Sequence, residues 1–262
     1  AGREKDERGA GKGVKLLKDA EVEVQPGFLA EEAYQINKGF FLRFEAGRPL
    51  YTSKIAGTID GKIALANGES KWITASKTRS FGHMLRARHD AIMVGVNTVL
   101  KDNPSLTCRL PGMTDLSPAR IVMDRTLRTP LHAKLVETAR ETPTYIITEQ
   151  MTGQTYQAML DQGVRLISLR DLSKIDSVSK ALIEKGITRV LIEGGGKIHA
   201  SFIEAGVVDR VEQFVGGSLI GNGGIAAVGT MDFISLEDTP KYKIMAIRQF
   251  GSDILASWDK AE

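Results

Sequence analysis

The feature that most constrains the fold is an alternation of short apolar runs with helical segments. The strand-like runs lie at 50–56, 91–94, 120–123, 144–148, 164–168 and 189–192, and the helical segments at 76–87, 155–160 and 178–184. This alternation predicts an α/β fold with a mostly parallel central sheet and helices on both faces. Two later runs, 243–251 and 253–258, flank a Gly-Ser-Asp turn and predict an antiparallel C-terminal hairpin at one sheet edge.

The N-terminal segment 1–47 has a different pattern from the rest of the chain. Residues 14–20 predict a short helix, and the alternating EVEV at 21–24 predicts a strand. Apolar side chains at helical spacing predict a longer helix over 29–44, which Gly-Arg-Pro at 47–49 ends. At 262 residues, the chain has room for this appendage and one domain, 48–262.

Composition excludes several classes of protein. Thirty-five Lys and Arg against 32 Asp and Glu give a net charge of +3, which suits an anionic small molecule and does not require nucleic acid. The sequence has no apolar run of membrane-spanning length, and its single cysteine, Cys108, suggests a reducing compartment such as the cytoplasm. The histidines lack metal-ligand spacing, so no metal is expected, and all four are predicted to be surface or capping residues: His83, His89, His132 and His199.

The strongest local motif is the glycine turn in VLIEGGGKIHASFIEAG at 190–206. An apolar strand ends at Glu193, the glycines 194–196 follow, and a helix begins at once. Such a turn lets a backbone approach a phosphate, but a tight turn needing only positive φ explains it about equally well. It is neither the dinucleotide fingerprint nor a P-loop. A second cluster, GGSLIGNGG at 216–224, is either a cofactor-facing loop or a mobile surface loop.

A third group of polar residues lies between positions 54 and 109. Arg86, Arg88 and Arg109 with a serine hydroxyl suit a phosphate, because the guanidinium fork matches its oxygens. Arginines on a helix also commonly form a solvated face, so both readings stay open. Asp102 begins an Asp-Asn-Pro turn signal.

Four ordered blocks resemble the reductase domain of the bifunctional riboflavin-biosynthesis deaminase/reductase. They are SKIAGTIDGKIALANGESKWIT (53–74), LRARHDAIMVGVNTVLKDNPSLTCR (85–109), RIVMDRTLRTP (120–130) and VLIEGGGKIHASFIEAGVVDR (190–210). The resemblance implies a dihydrofolate-reductase-like α/β fold. It also implies that NADPH reduces the ribose of 5-amino-6-(5-phosphoribosylamino)uracil, with the sugar ring open so that C1′ is electrophilic.

The resemblance also implies roles for individual residues. The substrate side matches Ser70, Arg86, Leu106, Arg109 and Glu193. The NADPH side matches Ala56, Trp72, Thr98, Asp102, Arg125, Gly195, Gly196, Lys197, Ile198, His199, Ala200 and Ser201. Asp102, Lys54 and Glu193 are the candidates for orienting the sugar hydroxyls and managing the proton. Arg125 and Arg128 could pair with a 2′-phosphate or be surface charge, which leaves NADPH against NADH open.

The sequence departs from this family at the front. The zinc motifs of the deaminase domain, H-x-E and P-C-x-x-C, are absent, and 11–44 resembles only the last strand and helix of that domain. We therefore expect segment 1–47 to be a deaminase remnant plus linker, and the chain to be a truncated or reductase-only form without deaminase activity. Such a remnant would expose apolar surface at Phe40, Phe41 and Phe44 unless it packs on the reductase domain or on a second chain, which favours a homodimer.

Two other functions fit the sequence less well. One is a related reductase acting on another pteridine or pyrimidine, such as dihydrofolate. Dihydrofolate has no ribose phosphate for Arg86, Arg109 and Ser70 to bind. The other is a non-catalytic nucleotide-binding module, which the presence of Lys54, Asp102 and Glu193 argues against.

Overall fold

Helices and strands alternate along most of residues 11–261, the part of the chain that the computed structural model describes. The helices are α1 (Lys12–Asp19), α2 (Ala30–Glu45), α3 (Ser76–Ala87), α4 (Val96–Asp102), α5 (Lys134–Glu137), α6 (Gln154–Asp161), α7 (Ile175–Glu184) and α8 (Gly196–Glu204). The strands are β1 (Leu50–Thr58), β2 (Lys62–Ala64), β3 (Ala91–Gly95), β4 (Ala119–Met123), β5 (Thr144–Thr148), β6 (Arg165–Ser168), β7 (Arg189–Gly194), β8 (Val208–Gly216), β9 (Ile225–Ala226), β10 (Tyr242–Phe250) and β11 (Asp253–Lys260).

One nine-stranded sheet organises the molecule, in the order β10-β11-β8-β1-β7-β3-β4-β5-β6. The strands from β8 to β6 are parallel, whereas β11 runs antiparallel to β8 and β10 antiparallel to β11. The mostly parallel sheet and the C-terminal hairpin are thus confirmed. Strands β1 and β7 are neighbours near the middle, and open α/β sheets bind ligands at the carboxyl ends of such strands.

Helices cover both faces of this sheet, as predicted. Side chains alternate between the faces along each strand. Met93 and Ile121 pack with Phe202 of α8 on one face, whereas Ile92 and Val122 pack with side chains of α4, α5 and α6 on the other. The strand ends are therefore fixed from both sides by buried apolar contacts, which makes them a rigid base for a site.

The N-terminal region confirms two predictions and contradicts one. Helices α1 and α2 form where the sequence predicts them, but EVEV at 21–24 forms no strand. Val22 is 48% exposed, and no neighbouring strand is available to satisfy the backbone groups of this segment within residues 11–261. The three phenylalanines of α2 differ in exposure. Phe41 is buried and stacks on Tyr34, while Phe40 and Phe44 stay exposed.

The sequence patterns did not predict several short elements. Helices α4 and α5, and the small β2–β9 sheet, are two to seven residues long. Such lengths are too short for a periodic signal. Among the described residues, no helix is both long and apolar enough to span a bilayer.

Candidate active site

Two adjoining cavities lie at the carboxyl ends of β1 and β7. The first, of about 220 Å³, is lined by Gly194, Gly195 and His199 among others, and we name it the glycine-turn cavity. The second, of about 170 Å³, is lined by residues that include three arginines, and we name it the arginine cavity: Arg79, Arg86 and Arg109. Five residues line both cavities: Lys54, Ala56, Trp72, Thr74 and Glu193. A ligand could therefore extend from one cavity into the other.

Glu193 lies between two cations at this junction. Arg86 donates to both carboxylate oxygens at 2.7 Å, and Lys54 Nζ lies 3.8 Å from Oε2. The remaining terminal nitrogen of Arg86, Nη1, donates to the Thr107 carbonyl at 2.8 Å. Burial alone would raise the pKa of Glu193, but the charges of Arg86 and Lys54 outweigh it and lower the pKa to about 2. Glu193 is thus an ionised hydrogen-bond acceptor, not an acid, at neutral pH.

The glycine turn has structural reasons for its composition. Gly195 has φ of +83°, and a Cβ at Gly194 would come within 3.0 Å of Thr98 Oγ1. A Cβ at Gly196 would come within 3.1 Å of the Gly229 nitrogen. Helix α8 then leaves its first N–H groups without partners in its own backbone, beside the glycine-turn cavity. The turn is therefore both sterically required and suited to an anionic group.

The second glycine cluster is anchored by Asp60 to the turn between β1 and β2. This carboxylate accepts hydrogen bonds from the N–H groups of Gly221 at 2.6 Å and Ile220 at 3.3 Å. The chain then pairs with β2 through β9, and the Gly229 N–H donates to the Gly196 carbonyl at 2.9 Å. The loop at 216–224 thus leads into a segment that packs on the glycine turn and lines its cavity through Ala227.

Helix α3 contributes residues that the sequence reasoning missed. Arg79 and His83 line the arginine cavity together with Arg86, and the three share a helix face at spacings of four and three. This spacing is visible in the sequence and indicates that the three side chains lie on one face of the helix. His83 is not a plain surface residue, because its Nδ1 accepts a hydrogen bond from the Arg109 N–H at 3.3 Å. Burial, Arg86 and Arg109 lower its pKa.

The predicted surface or capping role is also wrong for His199, whereas His89 caps the last turn of α3. His199 is 4% exposed, and its Nδ1 lies 2.8 Å from Ser53 Oγ. The ring of His89 is half-buried, with Nδ1 2.6 Å from the Leu85 carbonyl oxygen and Nε2 2.9 Å from Thr52 Oγ1. Burial, the largest effect for each ring, lowers the pKa of both to about 4. Only His132 among the four is plainly exposed.

The remaining predicted site residues lie outside both cavity linings, apart from Ser70, which lines the glycine-turn cavity. Asp102 is exposed at the end of α4. Arg125 is exposed and pairs with Glu149 at 3.1 Å. Thr98 contacts the glycine turn, Leu106 is buried with φ of +55°, and α8 carries the others: Gly196, Lys197, Ile198, Ala200 and Ser201. Among residues 11–261, no cluster of three His, Cys, Asp or Glu side chains could hold a metal.

The residues of this site lie within a region that matches a known protein family. The family model for the RibD C-terminal domain matches residues 49–256. This chain belongs to that family. Within this RibD C-terminal domain, the matched block at 53–74 supplies Lys54, Ala56, Trp72 and Thr74 to both cavities, and the block at 190–210 supplies Glu193.

Its relatives are longer proteins. The riboflavin biosynthesis protein RibD of Aquifex aeolicus is 36% identical over 246 residues, which cover 94% of this chain and 67% of that protein. Acinetobacter baumannii RibD, form 1, is 29% identical with a TM-score of 0.84, covering 97% of this chain and 69% of that one.

A third relative, from Thermotoga maritima, is described as a diaminohydroxyphosphoribosylaminopyrimidine deaminase/5-amino-6-(5-phosphoribosylamino)uracil reductase. It is 30% identical with a TM-score of 0.81, and the match covers 95% of this chain and 67% of that one. This RibD C-terminal domain chain therefore spans about two thirds of the length of the relatives it matches.

Proposed function

We propose that this chain reduces the ribose of 5-amino-6-(5-phosphoribosylamino)uracil to the ribityl chain, with NADPH as the reductant. The observation that carries the proposal is the position of Glu193. It lies at the junction of one cavity beside a glycine turn and another lined by arginines. A dinucleotide and a phosphorylated sugar would then meet at an ionised carboxylate beside Lys54.

The glycine-turn cavity fits a nicotinamide cofactor. Gly194 and Gly195 put backbone without side chains on its wall, and the start of α8 offers N–H groups to the pyrophosphate. Ala56 and Trp72 line the same cavity, and Thr98 supports the turn. When bound, NADPH supplies the hydride that C1′ of the open-chain sugar accepts. For its 2′-phosphate we propose two exposed arginines, Arg125 and Arg128.

The arginine cavity fits the phosphate end of the substrate. The guanidinium of Arg86 is largely engaged by Glu193 and Thr107, so most of the phosphate charge falls to the other cations of the cavity. Besides Lys54, which pairs with Glu193, these are Arg79 and Arg109, with the half-buried ring of His83 as a further hydrogen-bonding group. Arg86 is then mainly the residue that positions Glu193, while Ser70 serves the substrate from the other cavity.

Lys54 and Glu193 have different roles toward the sugar, one as proton donor and the other as hydrogen-bond acceptor. Reduction of the ribosylamine consumes one hydride at C1′ and one proton at the ring oxygen released when the C1′–O bond opens. With a pKa of about 2, Glu193 has no proton to give at neutral pH, so it accepts hydrogen bonds from sugar hydroxyls. The Lys54 ammonium, 3.8 Å away, donates to the released oxygen. Asp102 stays a prediction from the family resemblance.

The test is NADPH oxidation by the purified chain, with the phosphoribosylamino-uracil and with dihydrofolate. We expect turnover with the first only, and a product heavier by two hydrogens in mass spectrometry. Lys54→Met should abolish turnover without loss of folding, and Asp102→Asn beside it decides whether Asp102 takes part. Tight NADPH binding with no turnover on the uracil substrate would overturn the proposal in favour of a nucleotide-binding module.

We also propose that the chain forms a homodimer in the cytoplasm. The exposed aromatic side chains of α2 and the exposed isoleucines of the edge strand β10 support self-association: Phe40, Phe44, Ile244 and Ile247. The free, buried Cys108 is compatible with a reducing compartment. Sedimentation equilibrium tests the dimer, and a monomer at micromolar concentration would contradict it.

A further inference from the structure

Two adjacent residues of β1 each bind a buried histidine. Successive strand residues point to opposite faces of a sheet, so Thr52 reaches His89 at 2.9 Å and Ser53 reaches His199 at 2.8 Å on different faces. Thr52, Ser53 and His199 are buried and His89 is half-buried, and burial is the largest cause that lowers the pKa of both rings to about 4. Of these four residues, only His199 lines one of the two cavities. The pair at His89 is thus a natural reference for the pair at His199.

The contact with Ser53 decides which nitrogen of His199 carries the proton. Ser53 is fully buried, and His199 Nδ1 is the only hydrogen-bond partner of its hydroxyl within residues 11–261. A buried hydroxyl that donates to nothing costs about 1–3 kcal/mol. The Ser53 hydroxyl therefore donates to Nδ1. Nδ1 is then the unprotonated nitrogen, and the proton of the neutral ring lies on Nε2.

His89 has the opposite arrangement. Its Nδ1 lies 2.6 Å from the Leu85 carbonyl oxygen, which can only accept. Nδ1 must then carry the proton, and Nε2 accepts from the Thr52 hydroxyl. The two neighbouring hydroxyls thus both donate, but to different ring nitrogens.

We propose that His199 presents a neutral Nε2–H donor to the glycine-turn cavity, that Ser53 fixes this tautomer, and that the donor binds an uncharged oxygen at the nicotinamide end of the cofactor. The ligand atom is the carboxamide oxygen or a hydroxyl of the adjoining ribose. This inference rests on the proposed function for the choice of ligand, but the tautomer rests on the protein alone.

The surroundings of His199 favour a neutral donor at this place. Nε2 has no hydrogen-bond partner in the described part of the chain and is not among its buried unsatisfied atoms, and His199 lines the glycine-turn cavity. Two charged groups of the site act on the ring. Lys54 disfavours a second positive charge, and Glu193 favours one but is already paired with Arg86. A neutral N–H therefore adds a directed hydrogen bond without adding charge beside an oxidised, positively charged nicotinamide ring.

The nicotinamide end is favoured over the phosphates by position. The start of α8 and its N–H groups suit the pyrophosphate, whereas His199 lies further along the helix, in a cavity that Lys54 and Glu193 also line. These last two residues are the ones assigned to the reacting sugar. The Nε2–H of His199 is thus on the side of the cavity where the reacting groups would meet.

The first experiment reads the tautomers directly. Protein with ¹⁵N-labelled histidine is examined by long-range ¹H–¹⁵N correlation at pH 7, with His89→Phe for assignment. We expect an Nε2–H ring at His199 and an Nδ1–H ring at His89 in the same spectrum. An Nδ1–H or doubly protonated His199 would overturn the inference whether or not the chain is a reductase.

The second experiment adds ligands to the same sample. NADPH should shift the His199 signals and leave those of His89 in place. The compound 2′-phospho-ADP-ribose has the ribose but no nicotinamide, so a shift with both ligands indicates the ribose hydroxyl and a shift with NADPH alone indicates the carboxamide. His199 signals unmoved by NADPH that does bind, as judged by its fluorescence, would overturn the contact. A chain that binds no NADPH would overturn the contact together with the proposed function, while the tautomer result would still stand.

Two matched variants test the role of Ser53. Ser53→Ala frees both ring nitrogens of His199 and should weaken NADPH binding about three- to tenfold, the effect of one neutral hydrogen bond, with mixed tautomer signals. Thr52→Ala removes a neighbouring buried hydroxyl from the histidine outside the cavities and should leave the NADPH affinity unchanged. Equal losses in both variants would reduce Ser53 to a structural residue and contradict its positioning role.

Discussion

Arg86 binds Glu193 through two hydrogen bonds of 2.7 Å, from Nε to Oε1 and from Nη2 to Oε2. This bidentate pair joins the middle of the sheet to helix α3, because Glu193 belongs to β7. Both side chains are largely shielded from water, so the pair is geometrically fixed as well as strong. The position of the ionised carboxylate at the junction of the two cavities follows from this contact.

Removing the charge of Glu193 should abolish most activity without unfolding the chain. Glu193→Gln keeps the shape but leaves Arg86 and Lys54 without a buried counter-charge, and we expect kcat to fall about 100-fold or more. Steady-state kinetics measure kcat, and circular dichroism shows whether the variant is folded. Glu212→Gln is the matched control, since Glu212 is a buried carboxylate of the same sheet outside both cavities, bound to Ser257. A kcat close to wild type in Glu193→Gln would remove the carboxylate from the mechanism.

Arg109 should matter for the substrate and not for the cofactor. Arg109→Gln removes an exposed cation that lines the arginine cavity only, so kcat/KM for the phosphorylated substrate should fall about 10- to 100-fold. The affinity for NADPH, measured by fluorescence titration, should stay the same. Arg88→Gln, a change to an exposed arginine outside both cavities, is the control. A selective loss of NADPH affinity in Arg109→Gln would place the cofactor in the arginine cavity instead.

A side chain at Gly195 should weaken cofactor binding. With φ of +83°, Gly195→Ala strains the turn, and the backbone must shift where the pyrophosphate is proposed to bind. We expect the dissociation constant of NADPH to rise about tenfold. Gly223→Ala in the second glycine cluster is the control, because a Cβ there meets nothing within 4 Å. Unchanged NADPH affinity in Gly195→Ala would favour a purely structural turn.

Stability should fall as the pH drops below about 6.5. The pKa of His89 and His199 falls from 6.5 to about 4 on folding, so the unfolded chain takes up protons that the folded chain does not. The contribution of the two histidines to the free energy of unfolding is present above pH 6.5 and is lost as the pH approaches 4. Glu193 acts in the same direction between pH 4.5 and about 2.

The measurement is the melting temperature between pH 7.5 and about 4. His89→Gln should flatten the pH dependence of the melting temperature, since one of the two buried titrating groups is gone. His132→Gln, on the surface, is the matched control. A steep wild-type dependence that His89→Gln leaves unaltered would contradict the assignment to the buried histidines.

Sequence patterns located most of the fold because they report on one local interaction at a time. The apolar runs at 91–94, 120–123 and 144–148 correctly predicted β3, β4 and β5, because a continuous apolar run of this length is typical of a buried strand. The strand expected at 21–24 failed because a strand also needs a partner, and partner availability is not a local property. The role of His199 was predicted wrongly for a related reason, since Ser53 and His199 meet only after β1 and α8 pack together.

The sequence by itself determined the α/β alternation, the glycine turn after Glu193 and the family, because these depend on residue types and spacings along one stretch of chain. Only the tertiary structure decided which side chains share a cavity. Asp102, which lies within the block 85–109 that carries the family resemblance, is outside both cavities, whereas Arg79 and His83 line one. Strands β1 and β7 are neighbours despite the long stretch of chain between them, so the contact of Lys54 with Glu193 arises from sheet order and not from sequence proximity.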